Sequence, residues 1–273
     1  MIEHFHKPRT VQDALSLKRR FRGRALFLAG GTFTNSSEFP LRPEHCISLE
    51  GLKLDRIEVK KGVVIIGALC TLQRLIEDRK VPAALKAAAS LVVSRNVREA
   101  ATLGGHVASN LSHSDLIPML VALDAKVGLA GSGATKLVRV VDYVRAARPG
   151  LITKIIVARP RADRVAACRN ARASANARSL VSAAVSMTLG RTAIKDPIIA
   201  LGGVARHVVR LTGIEDALNG KPLPAVDELQ ALVSRSVRPA SDHFASAAFR
   251  KHQAGVVVAL SFQEARRQQG GRA

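Results

Sequence analysis

Apolar positions along this 273-residue chain recur with two periods, and the switches between them outline its elements. Val11, Ala14, Leu15 and Phe21 fall at helical spacing behind Thr10 and Asp13, a hydroxyl and a carboxylate placed as a capping box, so a first helix runs to about Arg20. A short β-rich run at residues 25–28 then empties into Gly30-Gly31-Thr32. Residues 46–50 read as a strand, and residues 57–66 as a hairpin turning at Lys60-Lys61-Gly62. Thr71 caps a helix carrying Leu72, Leu75 and Ile76, residues 84–93 form another, and Ser112 or Ser114 caps a third over residues 116–123.

The second half alternates differently. Strands are expected at residues 126–130, 136–140 and 152–157, the last stopped by Arg159-Pro160. Residues 161–178 are basic and poor in large apolar side chains, which reads as a mobile or ligand-facing connection. Beyond it, residues 180–189 and 194–203 read as strands. Residues 214–218, 226–233 and about 243–266 read as helices, with Asn219-Gly220 closing the first of these.

Two glycine pairs carry the candidate chemistry. Gly30-Gly31 lies at a strand end, and Gly104-Gly105 opens a polar stretch with Ser109, Asn110, Ser112, Ser114 and Asp115. Adjacent glycines permit positive φ and close approach, so their amides can converge on an oxyanion such as a diphosphate. Either pair alone reads better as a tight turn; together they suggest one diphosphate held from two sides. There is no G-x-G-x-x-G behind a strand to support a Rossmann fold. His106 and His113 lack a carboxylate pair or third ligand at suitable spacing, so they read as hydrogen-bonding loop histidines.

Composition narrows the class. Forty-seven percent hydrophobic and 23% charged residues fit a folded protein, best read as two domains or one with subdomains. No signal-peptide core or membrane-length apolar run occurs, which points to the cytoplasm. Cys46, Cys70 and Cys168 are too widely spaced for zinc or an iron–sulfur cluster, so neither is expected on this chain. The net charge of +21 admits nucleic acid or an acidic partner, but 3% aromatics and dispersed basic residues favour a solvated surface or an acidic partner over nucleic acid.

Several short motifs together resemble the FAD-binding subunit of the molybdenum hydroxylases, the family of xanthine dehydrogenase, carbon monoxide dehydrogenase and aldehyde oxidoreductase. They are Ala29-Gly-Gly-Thr32, Ile66-Gly-Ala68 with Thr71-Leu72, Val97-Arg98, Ala101-Thr-Leu-Gly-Gly105, Asp115-Leu with Pro118, Leu123-Asp-Ala125, Gly202-Gly-Val204, and Ser241-Asp with Ser246 and Phe249-Arg250. The resemblance spans nearly the whole chain. It implies an α+β fold: a two-subdomain FAD-binding domain of the vanillyl-alcohol-oxidase (PCMH) type over residues 1–176, divided at about residue 56, and a smaller α+β C-terminal domain over residues 177–273.

The resemblance also implies an oxidoreductase subunit holding FAD, with an iron–sulfur subunit and a large molybdopterin subunit as partners and NAD or another acceptor receiving electrons. It assigns flavin binding to Ala29, Gly30, Gly31, Thr32, Phe33 and Thr34 in one loop, and to Thr102, Gly104, Gly105, Ser109 and Asp115 in the other. Three positions depart from the family pattern. His106 stands where asparagine is usual, Phe33 where aspartate is common, and Asn170 in Cys168-Arg-Asn-Ala-Arg172 matches a lysine near the flavin, with Arg169 or Arg172 as possible substitutes. These departures motivate a rival reading as a flavin-poor scaffold subunit.

Overall fold

Thr10 Oγ1 accepts the amide of Asp13 at 3.1 Å, starting helix α1 (Val11–Phe21) where the sequence places it. Helix α1 buries Ala14 and Leu15 against a small parallel sheet of β1 (His4–His6), β2 (Ala25–Leu28) and β3 (His45–Ser48), ordered β1-β3-β2. The computed structural model describes residues 2–36, 39, 43–92, 94–131, 133–146, 150–159, 161, 164–174, 177–190 and 193–270. The proposed helix end at Val93 and the strand stop at Pro160 lie outside the described residues.

The second unit begins with β4 (Ile57–Lys60) and β5 (Val63–Gly67), joined through Lys61 at φ 48 and Gly62 at φ 77, the two left-handed residues of a tight hairpin turn. Five helices follow: α2 (Leu72–Glu77), α3 (Ala83–Ser90), α4 (Arg95–Ala100), α5 (Leu103–Ser109) and α6 (Leu116–Ala122). Thr71, Ser94 and Thr102 cap α2, α4 and α5 through their side-chain oxygens. Strand β6 (Lys126–Ala130), β7 (Lys136–Arg139), helix α7 (Val140–Arg145) and β8 (Leu151–Ala158) complete an antiparallel sheet ordered β4-β5-β8-β6-β7.

The third sheet, β12-β11-β10-β9, is antiparallel: β9 (Arg164–Arg172), β10 (Ser179–Leu189), β11 (Ile194–Gly202) and β12 (Val209–Arg210). Its two faces have different partners. Val165, Ala167, Val185 and Met187 share a core with α8 (Thr212–Leu218), α9 (Val226–Ser236) and α10 (Ala247–Gly270), whereas Ala166, Cys168 and Ala184 join the core built around α6. Every residue of α6 is buried. Arg250 near the start of α10 is buried too, donating to the Leu180 and Gly203 carbonyls at 2.6 and 3.1 Å and pairing with Asp242 at 2.8 Å.

Two expectations are corrected here. Much of the stretch expected as a connection over residues 161–178 is strand β9, whose small side chains pack on both faces. The segment around Gly104-Gly105 is helix α5 rather than a loop, because Thr102 caps it and neighbouring backbone holds its first turn. Strand β9 forms its ladder with β10, so the C-terminal sheet starts at Arg164.

Candidate cofactor site

The loop leaving β2 turns at Gly31, whose φ of +70 suits glycine, and the turn is closed by the Asn35 amide donating to the Gly31 carbonyl at 3.0 Å. Gly30 serves a different need. A Cβ there would sit 1.6 Å from the Ala100 carbonyl oxygen, so only glycine lets this loop rest on the end of α4. The contact brings the two glycine pairs together, and a Cβ on Gly105 would lie 3.9 Å from that of Ala29.

Their amides are not equivalent. Leu103 donates to the Cys70 carbonyl at 2.9 Å, Gly104 to that of Ala68 at 2.8 Å, Gly105 to Thr102 Oγ1 at 3.1 Å and His106 to the Thr102 carbonyl at 2.8 Å. The second pair therefore has no amides converging on a ligand, contrary to the cradle expected from sequence. Gly104 is required by packing, since a Cβ there would lie 2.6 Å from that of Ala68. By contrast, the amides of Gly30, Gly31, Thr32, Phe33 and Thr34 donate to no described residue, and a turn with such open N–H groups is suited to an anion.

Between these segments lies a cleft of about 720 Å³, within the range of cofactor sites. Ala29, Gly30, Gly31, Thr32, Phe33, Thr34, Thr102, Gly104, Gly105, His106 and Ser109 all line it. Leu69, Val97 and Ile152 give it apolar walls, and Tyr143 and Arg178 add polar groups that the sequence reading did not single out. The Arg178 guanidinium stacks on the Phe244 ring at 3.5 Å, and it is the sole Lys or Arg among the described lining residues. Its signal in the sequence is slight: one arginine at the end of a basic stretch.

Asp115 and Asn170 are not brought to the cleft wall. Asp115 is buried; its Oδ2 pairs with Arg172 at 2.6 Å, while its Oδ1 accepts from Asn170 at 2.9 Å and from the Ser179 hydroxyl at 2.5 Å. Burial raises the carboxyl above its ordinary range, and the bonds from Ser179, Asn170 and Arg172 oppose that shift. Arg172 also donates to the Leu91 carbonyl, and Arg169 pairs with Glu264 on α10 at 2.7 Å, so neither takes a position in the lining. His106 is a half-buried residue of the cleft lining, with Nε2 2.7 Å from Ser114 Oγ. Burial, with a smaller contribution from His113, lowers its pKa to about 4.

Comparison with known proteins decides the family. Residues 1–160 match the family described as FAD binding domain in molybdopterin dehydrogenase, and residues 166–265 match the CO dehydrogenase flavoprotein C-terminal domain. The chain belongs to this FAD-binding family. It is 36% identical over 260 residues to the uncharacterized protein YgfM of Escherichia coli K12, covering 95% of each chain. It is 27% identical over 280 residues to the carbon monoxide dehydrogenase medium chain of Afipia carboxidovorans, covering 96% of each. Among solved structures, the reconstituted CO dehydrogenase from Oligotropha carboxidovorans aligns with a TM-score of 0.89 at 25% identity over 97% of each chain.

FAD is accordingly the cofactor of this family member, an oxidoreductase component of the molybdenum hydroxylases with the PCMH-type fold and its C-terminal domain. The cleft's own chemistry fits: amides at one loop that donate to no described residue suit a diphosphate, and apolar walls with few polar groups suit an aromatic ring system.

Proposed function

We propose that this chain is the electron-transferring FAD subunit of a molybdenum-containing hydroxylase complex, receiving electrons from an iron–sulfur subunit and passing them to NAD or another acceptor. The observation that carries this reading is the meeting of the two glycine segments across one cleft whose first loop offers the open amides of Gly30 to Thr34. Those amides would hold the diphosphate. Thr102, Gly105, His106 and Ser109 on α5 would form the facing wall, and Arg178 would place a cation beside the bound group. Bound FAD supplies the capacity to take up and release electrons one or two at a time.

Asp115 and Asn170 support the site rather than line it, since their bonds fasten the start of α6 to β9 and β10. A large molybdopterin subunit would oxidise the substrate, and the excess of positive charge on this chain would favour docking of an acidic partner. Copurification from the native host tests the assembly. The visible flavin spectrum should bleach on anaerobic substrate addition to the complex and should not respond in the separated subunit. Substrate turnover by this chain alone would refute the subunit reading.

A further inference from the structure

The Ser114 hydroxyl meets His106 Nε2 at 2.7 Å. The Ser114 hydroxyl oxygen accepts the amides of Leu116 at 3.1 Å and Ile117 at 3.0 Å, capping α6. A hydroxyl has two lone pairs and one hydrogen, so with both lone pairs engaged the bond left to it is a donated one. At the 2.7 Å contact it therefore donates to His106 Nε2. That leaves Nε2 as the bare acceptor and puts the proton of a neutral ring on Nδ1. His106 is one of the residues that line the cleft.

We propose that Ser114 holds His106 as the Nδ1–H tautomer, and that this N–H is an uncharged donor to an oxygen acceptor of the cofactor. The inference rests on the cleft being the flavin site, and it assigns His106 a role that depends on a residue eight positions further along the chain. Ser114 acts through the ring and is a positioning residue. The arrangement couples the cap of the fully buried helix α6 to recognition in the cleft.

The tautomer is read by ring ¹⁵N and ¹³C NMR of histidine-labelled protein, with His106→Asn used to assign the resonances, and cofactor affinity by FAD fluorescence titration. The Nδ1–H pattern is expected at neutral pH. His106→Asn, which keeps a neutral donor, should hold the FAD Kd within about threefold, and His106→Leu should raise it about tenfold, the loss of one hydrogen bond to a buried acceptor. Ser114→Asp retains acceptors for the α6 amides but has no hydrogen to donate. It should put a proton on Nε2 and abolish the neutral Nδ1–H pattern with unchanged circular dichroism, while Ser114→Thr should match the wild type.

An Nε2–H pattern in the wild type overturns the proposal without requiring any variant, as does an unchanged Kd in His106→Leu; in both cases FAD still binds. A wild-type protein that takes up no FAD brings down the flavin reading itself, and the donor role with it.

Discussion

Arg172 on β9 and Asp115 at the start of α6 form a 2.6 Å ion pair in which the two side chains are only 14% and 7% exposed. The pair joins the second unit to the C-terminal sheet, and Asn170 and Ser179 complete it from β9 and β10. Removing one partner of such a pair strands a buried charge. Arg172→Met should cost roughly 3–5 kcal/mol in urea denaturation. The double variant Asp115→Leu with Arg172→Met should recover a large part of that loss, because no buried charge is left unpaired. A double variant as unstable as the single would show that the pair is worth more than its desolvation.

The glycines of the cleft should separate by what surrounds them. Gly30→Ala sets a Cβ 1.6 Å from the Ala100 carbonyl, so the loop must leave α4, and both FAD content and thermal stability should collapse. At Gly105 the conflict is milder, 2.8 Å from Thr102 Oγ1; Gly105→Ala should fold, with FAD affinity reduced. Gly62, at φ +77 with nothing within 4 Å, should lose about 1 kcal/mol on change to alanine, from backbone strain alone. Thermal unfolding monitored with the flavin absorbance ranks the three.

His106 gives the fold a pH dependence of defined sign. Its pKa falls from 6.5 to about 4 on folding, so between those values the unfolded chain binds a proton that the folded one excludes. Its stabilising contribution is thus complete above pH 6.5 and is lost as pH falls toward 4. The slope attributable to this group is at most about 1.4 kcal/mol per pH unit. Subtracting the stability profile of His106→Asn from that of the wild type should isolate it, and a flat difference would contradict the desolvation of the imidazole.

With a net charge of +21, the encounter with an acidic electron-donating partner should slow as salt rises. Stopped-flow association rates measured from low to physiological ionic strength should fall steeply, with dissociation changing much less. A salt-independent association rate would remove steering from the account.

Much of the fold was legible because it depends on local chemistry. The turn at Gly31, the hairpin at Lys61-Gly62 and the hydroxyl caps at Thr10 and Thr71 each use residues suited to those backbone positions. Helix α5 was hidden because two adjacent glycines are poor helix formers, and only the contact with Ala68, far away in sequence, shows why Gly104 is one of them. Strand β9 was hidden because its buried residues, among them Ala166, Ala167 and Cys168, are small; two close neighbours take the place of side-chain bulk. The ion pair of Asp115 was hidden for a different reason. Its partner Arg172 lies 57 residues away, and no local pattern announces the pairing.

Equilibrium titration of apoprotein with FAD, comparing the wild type with Ala108→Trp, tests the central claim most directly. Ala108 is an exposed residue of α5 that faces the cleft, so a bulky ring there should fill the site without disturbing the core. One FAD per wild-type chain, released intact by acid precipitation, and affinity weakened at least about tenfold in a normally folded Ala108→Trp protein is the predicted result. A wild type that binds no FAD, or an Ala108→Trp variant that binds it as tightly as the wild type, would contradict the claim that this cleft holds the flavin.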